Sequence, residues 1–376
     1  MPLIIVLTLV WSACGPSKDR LVEDEASQSS GREEVRASSQ SVVFNRSDEG
    51  AATPPWHGEG GIASLEWGEI GGHRQWITIR GEDSRAPLLL WLHGGPGLTE
   101  IPFLAAQREL ERHFVVVNWD QRGAGKSYGE KLSCEEMTID GFVSDAGALA
   151  RYLLARFRRE HLFIVGHSWG AIVGMLLVQR YPDLCKAFIG MGQPVCTSME
   201  DGLALDFVRD TAVYLRNEEA IQDLKGQSRP LTDRAQRAVL RRWVVDFGGM
   251  IWQKGEVLDW VFQPEAHSTV PEYTPRDWEK RRLGLGFSWK CLERELNELD
   301  LFVRIPKVGV PVFFFLGVHD HQVPFEASVR YFDVLEAPVK EIVWFHHSAH
   351  FPHLEEPARF AAMVLEKLLD RGEASR

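Results

Sequence analysis

The sequence predicts an α/β fold: a mostly parallel sheet flanked by helices, with an inserted helical cap. Three observations carry that prediction. Short apolar runs near residues 76–80, 87–92, 114–119, 161–166, 186–191, 311–316 and 340–345 alternate with helical patterns, as strand–helix–strand units on one sheet do. The string Gly166-His167-Ser168-Trp169-Gly170 stands directly between the apolar run 162–165 and the apolar-periodic stretch 171–178, a strand–turn–helix arrangement. The stretch 195–305 differs, with helical periodicity, as in 234–243, and few strand-like runs. A chain of 376 residues is long for one domain, yet a core carrying an insertion accommodates it.

The elements follow in order. Residues 3–11 form an apolar run too short to span a bilayer, followed by Ser12-Ala13-Cys14-Gly15. This pattern suits a signal peptide of lipoprotein type over 1–14, with Cys14 as the lipidated residue, although no basic residue precedes the run. Residues 15–55 are dominated by Ser, Glu, Arg, Gln and Asp, so they lack the apolar surface to fold and are expected to be a disordered tether. The expected location is therefore exported, membrane-anchored through Cys14 or periplasmic or extracellular, with a cytoplasmic chain as the alternative. Next comes the core, 56–194 and 306–376, opening on an antiparallel ribbon (62–67 and 75–80) split by Gly71-Gly72. Helical patterns fill 138–158 and 170–181, and an amphipathic helix closes the chain at about 355–370. The cap, 195–305, carries Trp243, Trp252, Trp260, Trp278 and Trp289, which suit either a core of its own or an aromatic lining over the site.

Chemistry concentrates where these elements end. A strand–turn–helix with glycine two residues before and after a serine holds that serine in a strained turn at the positive end of the helix. Ser168 occupies that position and is the candidate nucleophile, the bland alternative being a plain glycine-rich turn. A nucleophilic serine needs a base, and the base needs an acid to fix its tautomer. Asp320 follows the apolar strand 312–316, and His350 follows the strand 341–345, so the acid and the base each stand just past a strand's C-terminal end. The oxyanion needs backbone donors. Trp169, directly after the serine, supplies one; Gly95, in His93-Gly94-Gly95-Pro96-Gly97 after the strand 87–92, is the candidate for the other.

Those strings, with Trp119-Asp120-Gln121-Arg122-Gly123-Ala124-Gly125-Lys126-Ser127, resemble the proline iminopeptidase branch of the α/β-hydrolases over roughly residues 60–370. Gly317-x-x-Asp320-x-x-x-Pro324 and Ala349-His350 with Glu355-x-Pro357 are similar to the acid and base loops of the wider superfamily. The resemblance implies an eight-stranded sheet, a cap inserted ahead of the Asp320 strand, and a structural role for Asp120 and Arg122 beside the oxyanion loop. Two departures bear on substrate. That branch usually places Gly before the nucleophile, where this chain has His167, as many esterase and lipase relatives do. Trp278-Glu279 is the only literal match to the branch's cap signature for a free amino terminus. Aminopeptidase and carboxylesterase or lactonase activity therefore both stand as expectations, on a small-molecule or short-peptide substrate. A non-enzymatic binding protein on this scaffold commonly lacks a triad member, and here all three are present.

Composition and spacing exclude other classes. Lys and Arg number 42 against 53 Asp and Glu, a formal charge of −11 that argues against generic nucleic-acid binding. Gly125-Lys126-Ser127 resembles the end of a phosphate loop, but Asp120 stands where that motif needs glycine. His346, His347, His350 and His353 lack a helical His-Glu-x-x-His frame, so neither a metal nor a cofactor is expected. Besides Cys14, the cysteines are Cys134, Cys185, Cys196 and Cys291, in no zinc spacing; free buried thiols are expected, with disulfides the alternative in an oxidising compartment. The sequence is silent on oligomeric state.

Overall fold

The computed structural model describes residues 42–46, 51–56, 59–129, 131–231, 234–252, 255, 257, 259, 261 and 270–369. The signal peptide assigned to 1–14, with Cys14, and Trp260 of the cap lie outside the described residues. No helix among the described residues is long and apolar enough to cross a membrane.

Nine strands form one sheet: β1 (Phe44–Arg46), β2 (Ile62–Ile70), β3 (His73–Gly81), β4 (Leu88–Leu92), β5 (Val115–Asp120), β6 (Leu162–His167), β7 (Cys185–Met191), β8 (Val312–Gly317) and β9 (Lys340–Phe345). Their spatial order is β1-β2-β3-β5-β4-β6-β7-β8-β9. The first two strands and β3 run antiparallel to their neighbours, and every pair from β5 to β9 is parallel. Strands β4 to β8 are almost wholly apolar because helices cover both faces of a parallel sheet. Alternation is visible residue by residue. In β8, Val312, Phe314 and Leu316 enter one core, while Phe313 and Phe315 enter the other.

Helices α1 (Ile139–Phe157) and α2 (Trp169–Arg180) cover the first face, with α3 (Thr197–Tyr214), α4 (Glu218–Asp223), α5 (Arg234–Asp246), α6 (Pro275–Glu298) and α7 (Leu301–Arg304) in the cap. The chain then returns through α8 (Phe325–Val334), α9 (Pro352–Glu355) and α10 (Pro357–Leu368), and α10 covers the second face. The closing helix expected at about 355–370 is α10, separated from the short α9 because Pro357 lacks the N–H that would continue α9 and instead starts α10.

Two expectations are corrected. Among the described residues the sheet has nine strands rather than eight, since residues 44–46, inside the presumed tether, pair with β2. Phe44 gains a partner in Tyr152 of α1, with ring centroids 4.7 Å apart, which the polar composition of 15–55 does not signal. Free thiols are found at Cys185 and Cys196, both buried, whereas Cys134 and Cys291 form a disulfide with Cα atoms 4.8 Å apart.

That disulfide is one of several ties fixing α6 along the core. Lys126 Nζ meets Asp277 Oδ2 at 2.7 Å, and the Ser288 hydroxyl donates to Gly123 O at 3.0 Å. The Ile139 amide donates to Glu295 Oε2 at 2.8 Å. Helices α3 to α5 hold a separate apolar core containing Trp243. Trp278 and Trp289 are half-buried against Tyr273 and the main core respectively, so these tryptophans serve packing.

Candidate active site

Ser168 has φ +52° and ψ −116°, a region L-residues avoid, and stands as the N-cap of α2. The flanking glycines make the turn possible. A Cβ on Gly166 would come 2.4 Å from Gly170 O, and one on Gly170 would come 2.0 Å from Leu92 O at the end of β4. Trp169 opens α2, so its backbone N–H lies outside the intrahelical ladder. Its indole donates to Gln121 Oε1 at 2.8 Å, joining the helix to the loop after β5.

The acid and base loops run together. His350 Nδ1–H donates to Asp320 Oδ2 at 2.8 Å, with both side chains buried; in the neutral ring this leaves the Nε2 lone pair free. Asp320 Oδ1 accepts from the Val323 amide at 2.9 Å, which fixes the carboxylate's orientation. Gly317 lets the loops cross, since a Cβ there would meet Ala349 O at 2.1 Å. Ser168 joins them through the end of β7: its amide donates to Met191 O at 2.8 Å. At the next residue, Gly192, a Cβ would lie 2.7 Å from the His350 ring and 3.3 Å from Asp320 Oδ2. The three sequence-predicted residues therefore surround one corner, Met191–Gly192.

Gly95 sits in the expected loop at φ +109°, with a cis bond to Pro96. Beside it, His93 is held in one tautomer, Nδ1 against Gly94 O at 2.8 Å and Nε2 accepting from the Gln121 amide at 3.2 Å. Burial pushes the His93 pKa down to about 4. Asp120 and Arg122 brace the neighbouring loop after β5, whose Gln121 meets His93. The Arg122 guanidinium grips Asp145 of α1 through Nε at 2.7 Å and Nη2 at 2.6 Å. Asp120 Oδ2 accepts from Tyr273 Oη at 2.5 Å and from the Lys126 amide at 2.9 Å, and burial pushes its pKa up to about 7.

Some contacts have no signal in local sequence pattern. His167, directly before Ser168, donates from Nε2 to His350 O at 2.9 Å. The cap segment 249–252 clasps both loops. Gly249 O accepts from the His321 and Gln322 amides at 2.8 and 2.9 Å, and Met250 O accepts from the His350 amide at 3.0 Å. Glu355 accepts from Trp252 N at 2.7 Å and from Ala349 N at 2.8 Å. Trp252 stacks on His319 at 3.5 Å and Phe207 on His321 at 3.7 Å, so both neighbours of Asp320 are packed against cap aromatics. Of the four clustered histidines, His346 and His347 are exposed while His350 and His353 are buried, so they do not converge on one point. Two surface grooves, about 450 Å³ along residues 295–304 and about 550 Å³ between α3 and α4, contain none of Ser168, Asp320, His350, Gly95 and Trp169.

A family model described as alpha/beta hydrolase fold matches residues 87–357. The chain is 36% identical over 303 residues to "Probable aminopeptidase YbaC" of Bacillus subtilis (strain 168), covering 80% of this chain and 94% of that protein. It is 30% identical over 115 residues to a proline iminopeptidase of Thermoplasma volcanium, 31% of this chain and 37% of that protein. Among solved structures it resembles a proline iminopeptidase of Mycobacterium smegmatis at TM-score 0.58 and 19% identity, covering 83% of this chain and 100% of that one, a likeness of fold. The breadth of the family match and of the 36% identity, on a sheet and cap of this topology, shows that the chain is a hydrolase enzyme and belongs to the α/β-hydrolase fold family.

Proposed function

We propose that the chain is a serine hydrolase of aminopeptidase type, working by two-step acyl transfer. The observation that carries the proposal is the buried Asp320–His350 hydrogen bond of 2.8 Å beside a serine held at φ +52° on a helix N-terminus. In this reading, His350 Nε2 takes the proton of Ser168 as its oxygen attacks the carbonyl, and Asp320 supports the imidazolium. The amides of Gly95 and Trp169 hold the oxyanion, and water then releases the acyl group. The aminopeptidase class is supported by the printed name of the 36% identical relative.

A second reading, carboxylesterase or lactonase, is favoured by one observation. Phe351, next to the base, packs in an apolar cluster with Phe103, Met250, Ile251, Val261 and Leu354, which would suit an apolar acyl group. Two buried cap carboxylates are engaged: Glu200 accepts the Val195 and Cys196 amides, and Asp201 pairs with Arg237 and Arg241. The deciding measurement is hydrolysis of proline p-nitroanilide and p-nitrophenyl butyrate by wild type and Ser168→Ala, with fluorophosphonate labelling of both. Turnover of the first substrate supports the peptidase, and of the second alone the esterase. Activity or labelling surviving in Ser168→Ala would remove the nucleophile assignment.

A further inference from the structure

His167 is wedged between the base loop and the loop at Gly94. It is the residue before Ser168 in the chain. Its Nε2–H is bonded to the backbone carbonyl of His350, 2.9 Å away. Its ring lies 4.8 Å from that of His350, 4.8 Å from Phe351 and 5.2 Å from His353, measured between centroids. Its other ring nitrogen faces the oxyanion loop, where a Cβ on Gly94 would come 2.9 Å from His167 Nδ1. The ring is almost completely buried, so its position is set by these contacts.

We infer that His167 is a positioning residue, a strut that fixes the distance between the nucleophile turn and the base loop while its ring props the loop at Gly94. The inference rests on the Ser168–His350–Asp320 reading and adds a residue to it. Its mechanism is steric and hydrogen-bonding. Removing the donor leaves the His350 carbonyl buried without that partner and frees the base loop to shift relative to Ser168. Burial first, then the neighbouring His350, His353 and His93, hold the ring neutral, which suits a donor to a carbonyl. A misplacement of about 1 Å in a reacting pair can cost about 100-fold in rate.

The test uses His167→Gln and His167→Met in the full chain, with Ser168→Ala alongside. Glutamine and methionine have similar length, but only glutamine can donate to the carbonyl. We expect His167→Met to lower kcat about 10- to 100-fold with KM within about twofold, per site titrated by fluorophosphonate. We expect His167→Gln to recover at least several-fold of that loss. Equal kcat in the two variants would overturn the strut, because simple filling of space would then suffice. Wild-type imidazole NMR gives an answer that needs no variant to fold: an Nε2–H tautomer at His167 supports the inference, and an Nδ1–H tautomer sinks it. A Ser168→Ala chain that still turns over substrate would instead sink the underlying triad reading.

Discussion

Gly192 shows how little room the site leaves at the scale of single residues. Its φ is +54°, and an added Cβ would stand 2.7 Å from the His350 ring. Gly192→Ala must therefore displace that imidazole or its own backbone, besides adopting a conformation that costs about 1–2 kcal/mol for an L-residue. The expected outcome is a kcat at least tenfold lower and a reduced urea midpoint; a kcat within twofold of wild type would show that the ring can yield freely. Much of the candidate site is legible at this scale because each signal is local. Ser168 lies inside a five-residue motif, and Asp320 and His350 each follow a recognisable apolar strand within a few positions. His167 was visible as a departure from the family pattern, but its partner His350 is 183 residues away, and no spacing rule connects them.

At the scale of elements, the strands and α1 followed from periodicity because both faces of the sheet are buried and the apolar runs have nowhere else to go. What the pattern withheld was attachment. The cap reads as helical from sequence, yet the ties of α6 to the core join positions about as far apart as the 151 residues between Lys126 and Asp277. The Cys134–Cys291 pair is likewise 157 residues apart in sequence, so cysteine count alone left it open. The Lys126–Asp277 contact is almost wholly buried, with side-chain exposures of 1% and 7%. Removing one member of a buried pair strands the other's charge, so Asp277→Ala should cost about 3–5 kcal/mol of stability. Thermal and urea unfolding would measure this, and a loss below about 1 kcal/mol would mean that Lys126 finds other support, for instance from the Trp76 ring 4.6 Å away.

Across the whole molecule, buried titratable groups make stability depend on pH in two opposed senses. Burial holds His321 down to about 4, so between pH 6.5 and about 4 the unfolded chain takes up a proton that the folded chain refuses. His321→Gln should therefore gain on wild type in urea midpoint as the pH falls from 6.5 to 4.5. Glu200 runs the other way. Burial raises it to about 7, so the folded chain keeps a proton that the unfolded chain releases above 4.5, and stability drains as the pH rises. Glu200→Gln should accordingly gain on wild type between pH 4.5 and 7. Midpoints at pH 4.5, 6.5 and 7 test both, and a pH-independent gap for either variant would contradict its assignment. Asp320 and His350 lie late in the chain, but the carbonyls that seat their loops belong to Gly249 and Met250, in the middle of the insertion. Under the proposed mechanism, a chain whose insertion is undocked holds every proposed reactive group but leaves both late loops unseated, so the insertion is as much a condition of turnover as the serine itself.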